Sequence, residues 1–425
     1  MGLAPALQAS RTDHREAMQQ SSPGVLGTRS RFRSVLVSSE ISLAFVLTVA
    51  SGLLLKSFVR TWNVDPGFNV QNLYEVSFSL VGPKYQDDKA VVRAQTEALE
   101  RIGQIPGVDS VGLTSTPPLA GSFGGFDQAG FVIQDRRIPD PKVLSVDRYV
   151  VSPDYFRAVE IPLIRGRLFT PADTAGASPV AIISEMTARQ IFPGEDPLGK
   201  RIQLGARHDE QPWAEIVGVV GNVHQYGLDA PVTPQAYVLY SQSPFNYATV
   251  LFVRSSVGVA ALTRGIEEQL WAMDKNTLVF NPFLITQILS DSLAQRRFTM
   301  SLLSGFGTLA LMLAAVGIYG VLSCTVAQRT NEIGIRMALG ARGMEVGGMI
   351  VREALLMTLL ALCVGWAGAL VFTRALRSLL FGVTPMDPGT LVVVSCAVVL
   401  VAALSAFLPA WRATRVDPMA ALRWE

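Results

Sequence analysis

The chain has 425 residues, enough for two or three domains; 49% of them are hydrophobic and only 16% charged, and the mean hydropathy is +0.34. That balance points to a membrane protein. A net charge of +2, with no basic run interleaved with aromatics, argues against a nucleic-acid partner.

Residues 1–33 read as a cytoplasmic N-terminal segment, closing on Arg29, Arg31 and Arg33. The run Val35–Leu55 (VLVSSEISLAFVLTVASGLLL) follows, and about 20 apolar residues suffice to cross a bilayer. A long polar stretch precedes it and no small-residue cleavage site follows Leu55, so it reads as an anchor rather than a signal peptide. The first transmembrane helix is placed at 34–56. Its one acid, Glu40, is by default a functional candidate. At about 1.5 Å per residue, Glu40 also lies close enough to the span's start to reach the interface, and both readings stay open.

Residues 57–297 read as one large extracytoplasmic domain. Leu73–Leu80 alternates as a strand does. Asp87–Ile105 carries Val91, Ala94, Ala98, Leu99, Ile102 and Ile105 at helical spacing and stops at Pro106-Gly107, and Val108–Ser115 is again a strand. The pattern returns as strand Ala248–Ser255, helix Val257–Met273 and strand Leu278–Asn281. Two strand–helix–strand units separated by a long insertion suggest a split ferredoxin-like subdomain. The insertion, about 117–247, reads as mostly strands (VLSVDRYVV, SPVAIIS, AEIVGVVGNV, QAYVLYS) with a short helix at Glu185–Phe192. Leu284–Gln295 reads as a helical stalk entering the second span.

Nothing in this domain assembles a catalytic or cofactor site. Gly194–Arg201 (GEDPLGKR) departs from the phosphate-loop pattern: Arg201 replaces the magnesium-binding hydroxyl, Glu195 and Asp196 repel phosphate, and Pro197 lacks an N–H. It reads as a turn. His14, His208 and His224 are the only histidines, and none has a second ligand at helical spacing, so no metal site is expected. Ser184 sits in ISEM, not in a nucleophile elbow, and reads as the N-cap of the helix at Glu185. Gly121–Gly125 (GSFGG) reads as a plain loop.

Three further spans follow: Phe298–Ala327 (helix 298–327), Ala354–Thr373 (353–373) and Pro388–Trp411 (388–411). Cys324, Cys363 and Cys396 lie inside them, so no disulfide framework is available and buried thiols are expected. If all four runs cross, Arg29–Arg33, the 328–352 linker (Arg329, Arg336, Arg342, Arg352) and the tail 412–425 (Arg412, Arg415, Arg423) share one side. The positive-inside rule makes that side cytoplasmic. Lys56, Arg60, Arg296 and Arg297 oppose the assignment, but they flank a domain large enough to translocate whatever its charge; Arg374 and Arg377 oppose it as well. The linker segment Gln328–Val346 (QRTNEIGIRMALGARGMEV) offers Ile333, Ile335, Met337 and Leu339 among Arg329, Glu332, Arg336, Arg342 and Glu345. A short amphipathic helix at the inner interface fits, ending near Gly340.

NEIGIRMALGA, placed after the second span, resembles the signature of MacB/FtsX-type ABC transporter permeases. VSPDYFRAVEIPLIRGRLFTPAD, PVAIISEMTARQIFPGEDPLGKRI and EIVGVVGNVHQYGL resemble that family's extracytoplasmic core domain, and WRATRVDPMAALRWE its C-terminal tail. The resemblance runs from about Arg31 to Glu425. It implies an α+β membrane protein with one transmembrane helix, a large outer domain and then three more helices. It implies a second permease unit and a cytoplasmic ABC ATPase subunit as partners, besides membrane lipids. By the same analogy Asn331, Glu332, Ile333, Arg336 and Arg342 couple the ATPase to outer-domain motion, for export or mechanotransmission. Relatives that carry their own ATPase show Walker motifs and none occurs in these residues, so ATP hydrolysis is expected from a separate protein. A rival reading is a signalling or scaffold protein that controls a cell-wall hydrolase without transport. A membrane-anchored enzyme is the third reading, and the missing catalytic set argues against it.

Ala6–Gln19 (ALQASRTDHREAMQ) resembles Ala410–Arg423 (AWRATRVDPMAALR), with Ala6, Ala9, Arg11, Asp13 and Ala17 matching Ala410, Ala413, Arg415, Asp417 and Ala421. The chain thus resembles the C-terminal half of an acidobacterial duplicated orphan permease. On that reading the second permease unit is a tandem half, and otherwise it is a second copy in a homodimer.

Overall fold

The computed structural model describes residues 23–119, 128–134, 145–205, 212–245, 248–280, 282–339, 341–375, 382–384 and 386–415. They divide into two compact units, a helical one (Met1–Arg60 with Arg296–Glu425) and a strand-rich one (Thr61–Gln295). The first helix, α1, is Pro23–Trp62. The strand-rich unit opens with β1 (Leu73–Ser79), α2 (Asp88–Gly103) and β2 (Val108–Thr114). Helix α2 forms because Val91, Ala94, Ala98 and Ile102 recur at helical spacing and are buried together. It ends at Gly103, and Gly107, at φ 87°, takes the left-handed position in the turn into β2 that a side chain would resist.

The insertion supplies β3 (Gln128–Ile133), β4 (Ser145–Val151), α3 (Tyr155–Val159), β5 (Leu163–Gly166) and β6 (Val180–Ser184). It continues with α4 (Glu185–Ile191), β7 (Arg201–Leu204), β8 (Ala214–Val220) and β9 (Gln235–Leu239). The chain then returns through β10 (Thr249–Ser255), α5 (Val259–Met273), β11 (Leu278–Val279) and β12 (Phe283–Leu284). Strand order β11-β1-β10-β2 interleaves the two strand–helix–strand units, with β1 paired antiparallel to β10 from Leu73↔Arg254 to Phe78↔Thr249. Val76, Phe78, Leu113, Leu251 and Val253 on this sheet share one core with Ile102 of α2 and Leu262, Ile266 and Leu270 of α5. Burial of that kind contributes about 25 cal/mol per Å² of apolar surface removed from water.

The insertion closes on itself. Its order is β4-β3-β7-β8-β6-β9, and β9 pairs parallel with β4 from Asp147↔Gln235 to Val151↔Leu239, completing a ring of six strands. Closure leaves those six strands without a free edge. One register pair, Thr114↔Val151, joins the ring to β2. A second core, centred on Tyr149, Tyr155, Phe156, Tyr237 and Phe252, carries aromatic contacts such as Phe156 against Tyr237 at 5.1 Å, edge to face.

The helical unit adds α6 (Ile285–Gln328), α7 (Thr330–Ala338), α8 (Gly343–Ala375) and α9 (Pro388–Ala413) to α1. Stalk and second span are therefore one helix. Among the described residues four segments are long and apolar enough to cross a membrane: Phe32–Trp62, Arg297–Gln328, Gly343–Ala375 and Pro388–Ala413. Their shared core joins Ile41, Phe45 and Val49 of α1 to Ile318 of α6, Ala361 of α8 and Val398 and Ala402 of α9. Small residues let backbones approach. A Cβ at Gly365 would lie 2.9 Å from Phe45 Cδ1, and the Ser42 hydroxyl donates to the Ala361 carbonyl at 2.7 Å. At the far end Lys56 donates to Asp387 at 2.7 Å, while Asp387 caps α9 by accepting from the Thr390 N–H. Cys363 and Cys396 are not buried as expected. They are exposed on their helices, where an apolar bilayer replaces a protein interior, and Cys324 is half-buried.

Glu75 of β1 faces Phe252 of β10 and Phe283 of β12 across the sheet and has no hydrogen-bond partner among the described residues. Burial pushes its carboxyl up to about 7 from an ordinary 4.5. The folded chain therefore holds a proton that the unfolded chain releases. This group's stabilising effect is full below pH 4.5 and is lost as pH rises through 7. Glu75→Gln should slow hydrogen exchange of the β1 and β10 amides relative to wild type at pH 8 and leave it matched near pH 4.5. An equal ratio at both pH values contradicts the buried, proton-holding carboxyl.

Candidate coupling segment

Helix α7 lies between two spans and is built to present two different faces. Ile333 points inward: it is 2% exposed and shares the helical core with Leu322 of α6 and Ile350 of α8. Thr325, Val326, Arg329, Met349 and Glu353 complete the small recess around it. Ile335 (48% exposed) and Leu339 (83%), four residues apart, lie on the outward side with Glu332 and Arg336. Arg336 donates to Glu332 at 2.5 Å as an exposed i,i+4 pair and to Met349 Sδ at 3.3 Å. Behind the helix, Arg329 pairs with Glu353 of α8 at 3.6 Å.

The turn from α7 into α8 is locally determined. The Ala341 N–H reaches back to the Arg336 carbonyl at 3.0 Å, a wrap-around bond that ends a helix. The Arg342 N–H donates to the Glu345 carboxylate at 3.4 Å, and the Glu345 N–H to the Arg342 carbonyl at 2.9 Å. The carboxylate bond is the N3-acid half of a capping box, and the backbone bond closes the first turn of α8. Arg342 is exposed at that corner beside Met344, which is 87% exposed. Of the sequence-derived residues, the structure brings Glu332, Ile333 and Arg336 onto one nine-residue helix, sets Arg342 in the following turn, and leaves the Asn331 side chain outside the described residues. Leu339 and Met344 are exposed apolar groups the sequence reading did not single out for coupling; the i,i+4 relation of Ile335 to Leu339 was the available signal.

Glu40 lies on α1 with its Oε2 against α6, 3.0 Å from where a Cβ on Gly317 would sit. It has no hydrogen-bond partner among the described residues.

The motifs of the strand-rich unit are structural. The Ser184 hydroxyl accepts from the Thr187 N–H at 3.3 Å and from the Gln235 N–H at 3.2 Å, so it caps α4. Gln235 is a satisfied buried amide: its Nε2 donates to the Val223 carbonyl at 2.6 Å and its Oε1 accepts from the Val223 N–H and the Tyr237 hydroxyl. Asn222 accepts from the Met186 N–H at 2.7 Å, and His224 Nδ1 lies 3.2 Å from the Ala230 carbonyl. GNVHQYGL thus ties a loop to the ring. In GEDPLGKR the Lys200 N–H bonds to the Pro197 carbonyl, its ammonium pairs with Glu195 at 3.6 Å, and Gly194 and Gly199 take φ of 77° and 76°. That is a turn. GSFGG, His14 and His208 lie outside the described residues. No cluster of three metal-ligating side chains occurs among the described residues.

A family model described as MacB-like periplasmic core domain matches residues 41–269, and one described as FtsX-like permease C-terminal matches residues 304–418. Among curated relatives, a macrolide export ATP-binding/permease protein MacB of Agrobacterium fabrum is 29% identical over 289 residues, covering 64% of this chain and 42% of that protein. Another of that name, from Bartonella quintana, is 25% identical over 369 residues, covering 81% of this chain and 50% of its own length. A pyoverdine export ATP-binding/permease protein PvdT of Pseudomonas putida is 27% identical over 278 residues, covering 62% and 41%. The chain spans half or less of the length of these relatives.

Because Ile333 is the most deeply buried side chain of α7 among the described residues, Ile333→Ala should loosen the helix selectively. Truncating a buried Ile to Ala costs about 2–5 kcal/mol and to Val about 0.5–1.5. Hydrogen exchange across residues 330–338 should rise strongly in Ile333→Ala and slightly in Ile333→Val, with α9 unchanged. Unchanged exchange in Ile333→Ala means that α7 is held by something else.

Proposed function

We propose, from the premise that this chain belongs to the family of the MacB-like periplasmic core domain, that it is the permease part of a MacB/FtsX-type ABC transporter, which turns ATP-driven motion at α7 into motion of its outer domain. Four spans and a periplasmic core domain make it a multi-pass protein of the bacterial inner membrane, with the strand-rich unit outside. Between the second and third spans, α7 then lies inside.

The observation that carries the coupling reading is the division of α7. A buried Ile333 fixes the helix to the bundle, while Glu332, Arg336, Ile335 and Leu339 remain available to a partner. Ile333 serves as the anchor and the exposed four as the contact, with Arg342 at its edge. The partner is a cytoplasmic ABC ATPase that supplies the hydrolysis, so this chain acts as a permease rather than an enzyme. Names joining ATP-binding and permease functions in the relatives support that pairing, and macrolide and pyoverdine export in those names support an export cargo. A second permease unit completes the assembly.

The Glu332–Arg336 pair is exposed and worth a few tenths of a kcal/mol to the helix, so reversing its charges leaves the fold intact. At an interface the same reversal costs on the order of tenfold or more in affinity. Glu332→Lys, Arg336→Glu and the double variant, which restores the pair in opposite order, should all lose capture of the co-purifying ATPase and its stimulated turnover. Unchanged capture and turnover in all three reduces α7 to a connector.

A further inference from the structure

The inner end of α9 carries two guanidiniums held by aromatic rings and paired with no carboxylate among the described residues. Arg412 Nη1 donates to the Tyr319 hydroxyl of α6 at 2.8 Å, with its guanidinium 5.9 Å from that ring's centre. Three residues on, the Arg415 guanidinium lies 3.9 Å from the centre of the Trp411 ring. Both arginines are exposed, and neither has an acidic partner among the described residues. Stacking and the hydroxyl bond fix their direction while leaving most of their N–H donors free, which is the preparation a phosphate oxygen requires.

What lies beside them is apolar. Stepping back from Tyr319 by three or four residues at a time along α6 gives Val316, Met312 and Leu309, all exposed. The same step from Arg412 along α9 gives Leu408, Leu404 and Leu400, also exposed. Residues at these spacings share a helix face. Two apolar rows therefore run from the bridged arginines into the hydrocarbon region, one on each helix. A free phosphate uses only the arginines; a two-chain lipid uses both features.

We propose that Arg412 and Arg415, positioned by Tyr319 and Trp411, form a binding site for the headgroup of an anionic phospholipid whose acyl chains lie along the α6 and α9 rows. The charge complementarity lies in two cations at the headgroup level with no acidic partner among the described residues.

The test uses the purified 425-residue chain in phosphatidylcholine vesicles containing trace spin-labelled phosphatidylglycerol or, separately, spin-labelled phosphatidylcholine. Electron spin resonance reads the fraction of each label immobilised at the protein. Wild type should prefer phosphatidylglycerol, each guanidinium contributing about fivefold, and the preference should fall as salt is raised. Arg412→Gln with Arg415→Gln should bring the two lipids level. Arg352→Gln, which removes one charge from the same membrane side as Arg412→Gln alone does, should leave the preference intact. The proposal is overturned if wild type shows no preference or if the double variant retains it. It is also overturned if Arg352→Gln lowers the preference as much as Arg412→Gln alone, because binding then follows bulk surface charge.

Discussion

Inside a bilayer, helices gain little from hiding apolar surface from one another, so their association rests on close contact. Here that constraint is met around Phe45 of α1, which occupies the space left by the missing side chain of Gly365 on α8. One turn earlier the Ser42 hydroxyl reaches the Ala361 carbonyl, and farther along Gly52 packs on Thr390 of α9. As a result α1 is the most enclosed of the four spans, about half of it buried against the rest of the chain, while the other three leave most of their surface open. It is the central helix. Ile333 enters the same core, so in the coupling account any displacement of α7 is imposed on the packing that α1 organises.

The bundle was legible in the sequence because a membrane demands long uncharged runs, and those runs are unmistakable. The split strand–helix–strand units were legible for a related reason: each helix and strand has one buried face, which writes a period into the chain. Ring closure was not. It depends on β4 pairing with β9 across more than eighty residues of chain, a register that no local pattern encodes. The strands β5, β7 and β12 escaped notice because two to four residues carry too little alternation. In the coupling segment, Ile333, Ile335, Met337 and Leu339 looked alike as apolar residues, and only the seat formed by Leu322 and Ile350 separates anchor from contact.

The stretches that carry the family resemblance in the outer domain prove to be fold-determining. Ser184, Gln235 and Asn222 spend their side-chain hydrogen bonds largely on nearby backbone, Ser184 on Thr187 and Gln235, Gln235 on Val223 and Asn222 on Met186, and the Lys200 turn closes on Glu195. A buried amide or hydroxyl left unmatched costs about 1–3 kcal/mol, which explains polar residues at such positions without invoking catalysis.

The central claim is that nucleotide-driven movement at α7 reaches the outer domain. Pulsed electron–electron resonance tests it directly, with spin labels at Ala338→Cys on α7 and Glu268→Cys on α5 in a chain whose three native cysteines are replaced by serine. The account predicts that the label-to-label distance distribution changes when the associated ATPase binds ATP and reverts after hydrolysis. One unchanged distribution through all nucleotide states, while the ATPase turns over, would contradict it.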